Sequence, residues 1–287
     1  MKEIYCFGTS QTAGGGYEFD SPSKWDWPED YWFIEYEGEK TQSNFSYPGR
    51  LQSISNEYKV FNLGKSGHGN DRSIRKAYDV IKSKTNEELK NIYFIFEYAY
   101  VGRKEVFLKN LDKHAICNYS FLTEKMDKVK LQGLAIDYFY DDEDTNKLLR
   151  MNRDSIQDYI SKTLKYDVEM EKLQREFSIF LSFLENMGIK FLLVSGWPDF
   201  RDNYFEKNAI AWDKLTPYKA NPFGMDAHEE TITSETNGEI RDGHNNYTIN
   251  NWISKVIYNR LINDKFLNNQ SRIPDVYPYK RVTIQNP

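Results

Sequence analysis

The chain has 287 residues, 39% hydrophobic and 28% charged, with a net charge of −5. That is enough apolar material for one large core, and the acidic balance excludes a general nucleic-acid binder, which needs a basic field for phosphates. No apolar run approaches a membrane span, and Lys2 and Glu3 lead straight into a strand where a signal peptide would carry its apolar stretch. The expectation is a soluble cytoplasmic protein without a membrane partner; export without a signal, or packaging in a virus particle, stays open. Cys6 and Cys117 make no disulfide framework, and Cys6, inside the first apolar run, reads as a buried thiol.

In chain order, four short apolar runs read as buried parallel strands: residues 4–7, 59–63, 92–96 and 189–194. Helical patterns lie between them, which predicts an α/β fold with crossover helices. Ile74, Ala77, Tyr78 and Ile81 form one helical stripe; Leu173, Phe177, Phe180, Leu181 and Leu184 form another. Gly188 follows as a left-handed helix stop. Ile249, Trp252, Ile253, Val256, Ile257 and Leu261 mark a last helix, with Asn245 or Asn246 as its cap. Residues 104–165 are charged, with an acidic run at 141–144, and read as a helical insertion beside the sheet of a single domain spanning 1–287. Residues 198–241 read as long ordered loops. The tail, about 269–287, carries three prolines and is expected to wrap the surface.

The stretch IYCFGTSQTAGGG, residues 4–16, runs a strand into a hydroxyl flanked by glycines. In open α/β sheets ligands bind at the carboxyl ends of strands. A serine there can be a nucleophile if a base takes its proton, and a following helix N-terminus favours a developing oxyanion. The bland alternative is a strand-to-helix turn with Ser10 as its cap.

Residues 7–14, FGTSQTAG, resemble the first block of the SGNH/GDSL hydrolases, Gly-Asp-Ser-x-Thr-x-Gly. Gly8, Ser10, Thr12 and Gly14 match; Thr9 stands where the family usually has Asp. Asn62-Leu-Gly64-Lys-Ser66-Gly67 resembles the family's second block, Asn-x-Gly-x-Ser-Gly, again between a strand and a helix. Asp242-Gly-His244, just before the last helix, resembles the closing Asp–His block. The resemblance covers the framework of residues 1–103 and 188–264, and implies a three-layer α/β/α sandwich with a flavodoxin-like parallel sheet. It implies Ser10 as nucleophile, His244 as base and Asp242 as its orienting acid. The Ser10 and Gly67 N–H groups would form the oxyanion hole.

One block departs from the pattern. Where the family has Gly-x-Asn-Asp after the third strand, with the Asn as an oxyanion donor, this chain has Glu97-Tyr98-Ala99-Tyr100-Val101-Gly102-Arg103. Losing such a donor costs about 10²–10³ in turnover. Asn70, Tyr100 and Arg103 are the candidates to compensate, Asn70 at the oxyanion and Tyr100 and Arg103 toward substrate. Asp226-Ala-His228 repeats the acid–base spacing and, with Glu229 and Glu230, competes as a dyad or a metal site. It has no amphipathic helix directly after it and ranks below Asp242 and His244. His114 reads as a solvated residue of the insertion, and His68 as a loop histidine beside Gly67.

The expected function is a serine esterase acting on short acyl esters, O-acetyl groups on carbohydrate foremost. Trp25, Trp27, Tyr31 and Trp32 could stack on sugar rings or simply pack. No cofactor and no metal is expected, and the partner is a small-molecule or glycan ester. Two alternatives stay open: an O-acyltransferase sharing the acyl-enzyme, and a glycan-binding or structural module whose chemistry has died. A phosphate-loop nucleotide binder is weaker, because the lysine such a loop needs is absent after Gly16. Oligomeric state is not legible in this chain.

Overall fold

The computed structural model describes residues 1–9, 12, 33–36, 39–42, 46–65, 68–99, 101–108, 113–121, 129–135, 143–195, 208–211, 247–268 and 270–275. In chain order these residues give β1 (Lys2–Phe7), β2 (Phe33–Tyr36), β3 (Glu39–Gln42), α1 (Tyr47–Gln52), β4 (Tyr58–Asn62), α2 (Asn70–Lys82), α3 (Asn86–Leu89) and β5 (Ile92–Tyr98). There follow β6 (Arg103–Leu108), β7 (Lys113–Phe121), β8 (Val129–Ala135), α4 (Glu143–Thr163), α5 (Tyr166–Asn186), β9 (Lys190–Ser195), β10 (Ala209–Ala211) and α6 (Tyr247–Asn263).

The four expected strands are β1, β4, β5 and β9. They lie in one parallel sheet, with β10 as a fifth strand, in the order β10-β9-β5-β1-β4. β1 and β5 are therefore central. Their runs are continuously apolar because both faces are covered. Tyr5, Phe7, Phe94, Phe96, Phe191 and Leu193 point to one side, where Ala77, Val80 and Ile81 of α2 and Leu173, Phe177, Leu181 and Leu184 of α5 close over them. Ile4, Cys6, Tyr93, Ile95, Leu192 and Val194 point to the other, under Leu51 of α1 and Trp252, Ile253, Ile257 and Leu261 of α6. The alternation follows from the two-residue period of a strand.

The expected helical stripes lie in α2, α5 and α6. The stripe of α5 is buried throughout, and its end is as expected: Gly188 has φ +71°. Gly188 N–H donates to Glu185 O at 2.9 Å and Ile189 N–H to Leu184 O at 3.0 Å, the paired bonds of a Schellman stop. Tyr78 departs from its stripe: it is 48% exposed and sits beside Phe183 and under the Lys82 ammonium. Cys6 and Cys117 are free and buried, and burial pushes the Cys117 thiol up to about 11. Tail residues 270–275 do wrap α6: Trp252 Nε1 donates to Asp275 O at 2.7 Å, and Asn259 exchanges two bonds with the Ile273 main chain. No helix among the described residues is long and apolar enough to cross a membrane.

The helical insertion needs correcting. Its first half is an antiparallel three-stranded sheet, β6-β7-β8, and only its second half is helix, α4. The physical reason is visible in β8, VKLQGLA, and in the second half of β7, CNYSF. Both alternate apolar with polar residues, the period of a half-buried strand.

Candidate functional site

β1, β4 and β5 are adjacent, and their carboxyl ends open at one edge of the sheet. Numbered along the chain, the five strands run 2-1-3-4-5, so the order reverses between β1 and β5. That is the switch point at which open α/β sheets bind ligands. Three segments meet there: the turn after β1, the loop after β4 and the end of β5.

Glu97 stands at the centre. It is the sixth residue of the central strand β5 and only 3% exposed. A carboxylate buried to that extent is tolerated only where donors surround it. Four do so. Its Oε2 accepts Thr9 N–H at 3.1 Å, Thr12 N–H at 2.9 Å and the Thr12 hydroxyl, and its Oε1 accepts the Thr9 hydroxyl at 2.5 Å. The single hydroxyl proton of Thr12 goes to Glu97, so Thr12 Oγ1 accepts from Tyr47 O–H at 3.2 Å. Burial first, then the nearby Cys6 and Glu97, hold the Tyr47 phenol well above its ordinary range, so it stays a donor.

Gly8 makes the room. The register pairs Phe7 with Phe96, which brings Gly8 beside Glu97. A Cβ on Gly8 would meet both Glu97 Cβ and Glu97 Oε2 at 2.6 Å, and would also strike Thr12 Oγ1. The first glycine of the motif is there so that a carboxylate can lie against the backbone.

The loop after β4 is stitched to the same turn. Asn62 Nδ2 donates to Thr12 O at 2.9 Å and to the Ser46 hydroxyl at 3.3 Å, while its Oδ1 accepts Gly64 N–H at 3.0 Å. Lys65 N–H donates to Gly8 O at 3.0 Å. At the start of α2, Asn70 exchanges two bonds of 2.8 Å with the main chain of Ala99. Gly69 lies under the Arg103 carbonyl, whose carbon would be 2.8 Å from an added Cβ.

Of the residues expected to carry catalysis, the oxyanion hole or substrate contacts, Asn70 and Arg103 are described. The carbonyl and one amide hydrogen of Asn70 are engaged by Ala99, so it pins α2 to the end of β5. Arg103 begins β6, and its side chain is half-buried. Ser10, Gly67, Tyr100, Asp242 and His244 lie outside the described residues, as do Asp226 and His228 and the aromatics Trp25, Trp27, Tyr31 and Trp32.

Two histidines frame a second polar cluster. Glu105, whose side chain is 5% exposed, takes a bidentate pair from Arg75, with both bonds at 2.7 Å. His68 Nδ1 stands 4.0 Å from Glu105 Oε1 and His114 Nδ1 3.5 Å from Oε2. His114 is thus an edge of this cluster, also against the Phe107 ring, more than the solvated residue expected. Glu105 N–H donates to Asp71 Oδ2 at 2.5 Å, and burial raises the Asp71 carboxyl despite that bond. The cluster fastens β6 and β7 to the first turns of α2. Among the described residues no group of three or more His, Cys, Asp or Glu side chains converges as metal ligands would.

Glu97 lies outside the motif blocks, at the strand end where the resembled family carries its Asn two or more residues later. Its signal in the sequence is a single acidic residue inside an otherwise apolar and aromatic run, IYFIFEY, in a strand expected to be buried.

No family model and no curated protein matches this chain.

Proposed function

We propose that the chain is a serine esterase of the SGNH/GDSL type, hydrolysing short acyl esters, with O-acetyl groups on carbohydrate as the leading substrate class. The observation that carries this is the buried Glu97 carboxylate holding Thr9 and Thr12 at the β1/β5 switch point, one on either side of Ser10 in the chain. A plain capping turn has no need of a carboxylate from the neighbouring strand. The 2-1-3-4-5 order and helices on both faces agree with a three-layer, flavodoxin-like sandwich.

In this reading Ser10 Oγ attacks the ester carbonyl carbon while His244 takes its proton. Asp242 keeps the imidazole in the right tautomer and stabilises the imidazolium. The Ser10 and Gly67 N–H groups hold the oxyanion. The carbon–oxygen bond to the alcohol breaks, and His244 returns the proton to the leaving oxygen. Water, deprotonated by His244, then attacks the acyl-serine carbonyl; the bond to Ser10 Oγ breaks, His244 returns the proton to that oxygen, and the acid leaves. Asn70 is anchored to Ala99, and Tyr100 and Arg103 stand as the candidates to contact substrate.

The test is p-nitrophenyl acetate hydrolysis by wild type and Ser10→Ala side by side. Removal of a triad nucleophile is expected to cut turnover by about 10⁴-fold or more, to the background of surface attack. Equal rates in the two proteins would overturn the reading and leave a binding module.

A further inference from the structure

We propose that Glu97 is a positioning residue for the nucleophile turn, a role that rests on the esterase reading above. Glu97 touches no reacting atom in this account; it acts through the main chain it holds. Two of its four donors are backbone N–H groups three residues apart, Thr9 and Thr12. Both face a carboxylate that lies 88 and 85 residues away in sequence, on the strand next door. That strand is itself fixed, since β5 pairs with β1 on one side and β9 on the other. Thr9 and Thr12, which flank Ser10 in the chain, are thus tied to a strand that is paired on both sides.

Three further contacts make the tie specific. Gly8 leaves the space that Glu97 fills. Thr9, where the resemblance leads one to expect Asp, supplies a hydroxyl donor to Glu97 Oε1. An acid at position 9 would instead set two carboxylates against each other in a buried site. Asn62 then holds Thr12 O from the far side, so β4 and β5 grip the same residue. Side chains locked by packing and by supporting bonds are what keep a reacting group within a fraction of an ångström of its productive place. A displacement of about 1 Å can cost about 10² in rate.

The experiment compares wild type, Glu97→Gln, Glu97→Ala and Ser10→Ala by p-nitrophenyl acetate kinetics and by amide hydrogen exchange. Glu97→Gln keeps shape and one acceptor but loses the charge-assisted bonds, so kcat should fall about tenfold with KM within about twofold. Glu97→Ala, if it folds, should fall about 10²-fold in kcat. In Glu97→Gln the Thr9 and Thr12 amides should lose protection while the paired amides of β1 and β5 keep theirs. Wild-type kcat in Glu97→Gln, a change confined to KM, or unchanged protection at Thr9 and Thr12 would overturn the role. If Ser10→Ala alone matches wild type, the esterase reading falls. Exchange would then still register the tie, but Glu97 would have no reaction to position, and the inference falls with it.

Discussion

Phe96→Ala is expected to lower the unfolding free energy by about 3–5 kcal/mol, the range for emptying a buried phenylalanine site. Phe96 is fully buried in the central strand β5. Its ring stacks on Phe7 at 4.9 Å between centroids and meets Phe94, Phe177 and Phe180 edge-on at 5.9, 5.7 and 5.9 Å. It therefore joins β1, β5 and α5 through one side chain. Neighbours on a paired strand and a packed helix cannot collapse into the space, which places the cost high in the range. Domains of this kind have about 5–15 kcal/mol to lose, so the variant should be visibly less stable. Urea unfolding followed by circular dichroism measures it; a loss under about 1.5 kcal/mol would mean that this aromatic cluster is not the core's centre.

Gly8→Ala is expected to cost about 3 kcal/mol, the upper part of the range for forcing atoms into a packed site. The added methyl meets the Glu97 side chain and Thr12 Oγ1 together, and β1 is held by strands on both sides and cannot step away. Either Glu97 leaves the Thr9 and Thr12 amides, or the strand distorts. The matched control is Gly188→Ala, where nothing lies within 4 Å and the only penalty is the positive φ, about 1–2 kcal/mol. Thermal unfolding of the two variants separates the causes. If Gly8→Ala is as mild as the control or milder, Glu97 does not press on this backbone as described.

Much of the fold was legible because the sheet is buried on both faces. Such strands read as apolar runs: residues 4–7 and 92–96, in the two central strands, are unbroken, while 59–63 and 189–194 carry only Lys59, Asn62 and Lys190 as polar members. Gly188 was legible for a local reason, a left-handed stop that few side chains adopt. The β6-β7-β8 sheet was legible only in β8 and the second half of β7, because Lys104, Glu105, Lys113 and His114 break up the apolar period in β6 and at the start of β7. The candidate site was legible only as pattern. Ser10 and Gly67 came from short blocks around strand ends, and Asp242 and His244 from a dyad before a helix. The buried tie between Glu97 and the two threonines was out of reach, since the partners are more than 80 residues apart. Nothing along the chain says which polar residues of neighbouring strands share a face until the register is known.

In the proposed function Ser10, which lies between the two held threonines in the chain, is the nucleophile. Reaction of the purified protein with a fluorophosphonate tests it most directly, read by intact mass and peptide mapping. The account predicts one adduct per chain, on the peptide that contains Ser10, absent in Ser10→Ala and strongly slowed in His244→Ala. No adduct, or the same labelling in Ser10→Ala, would contradict it.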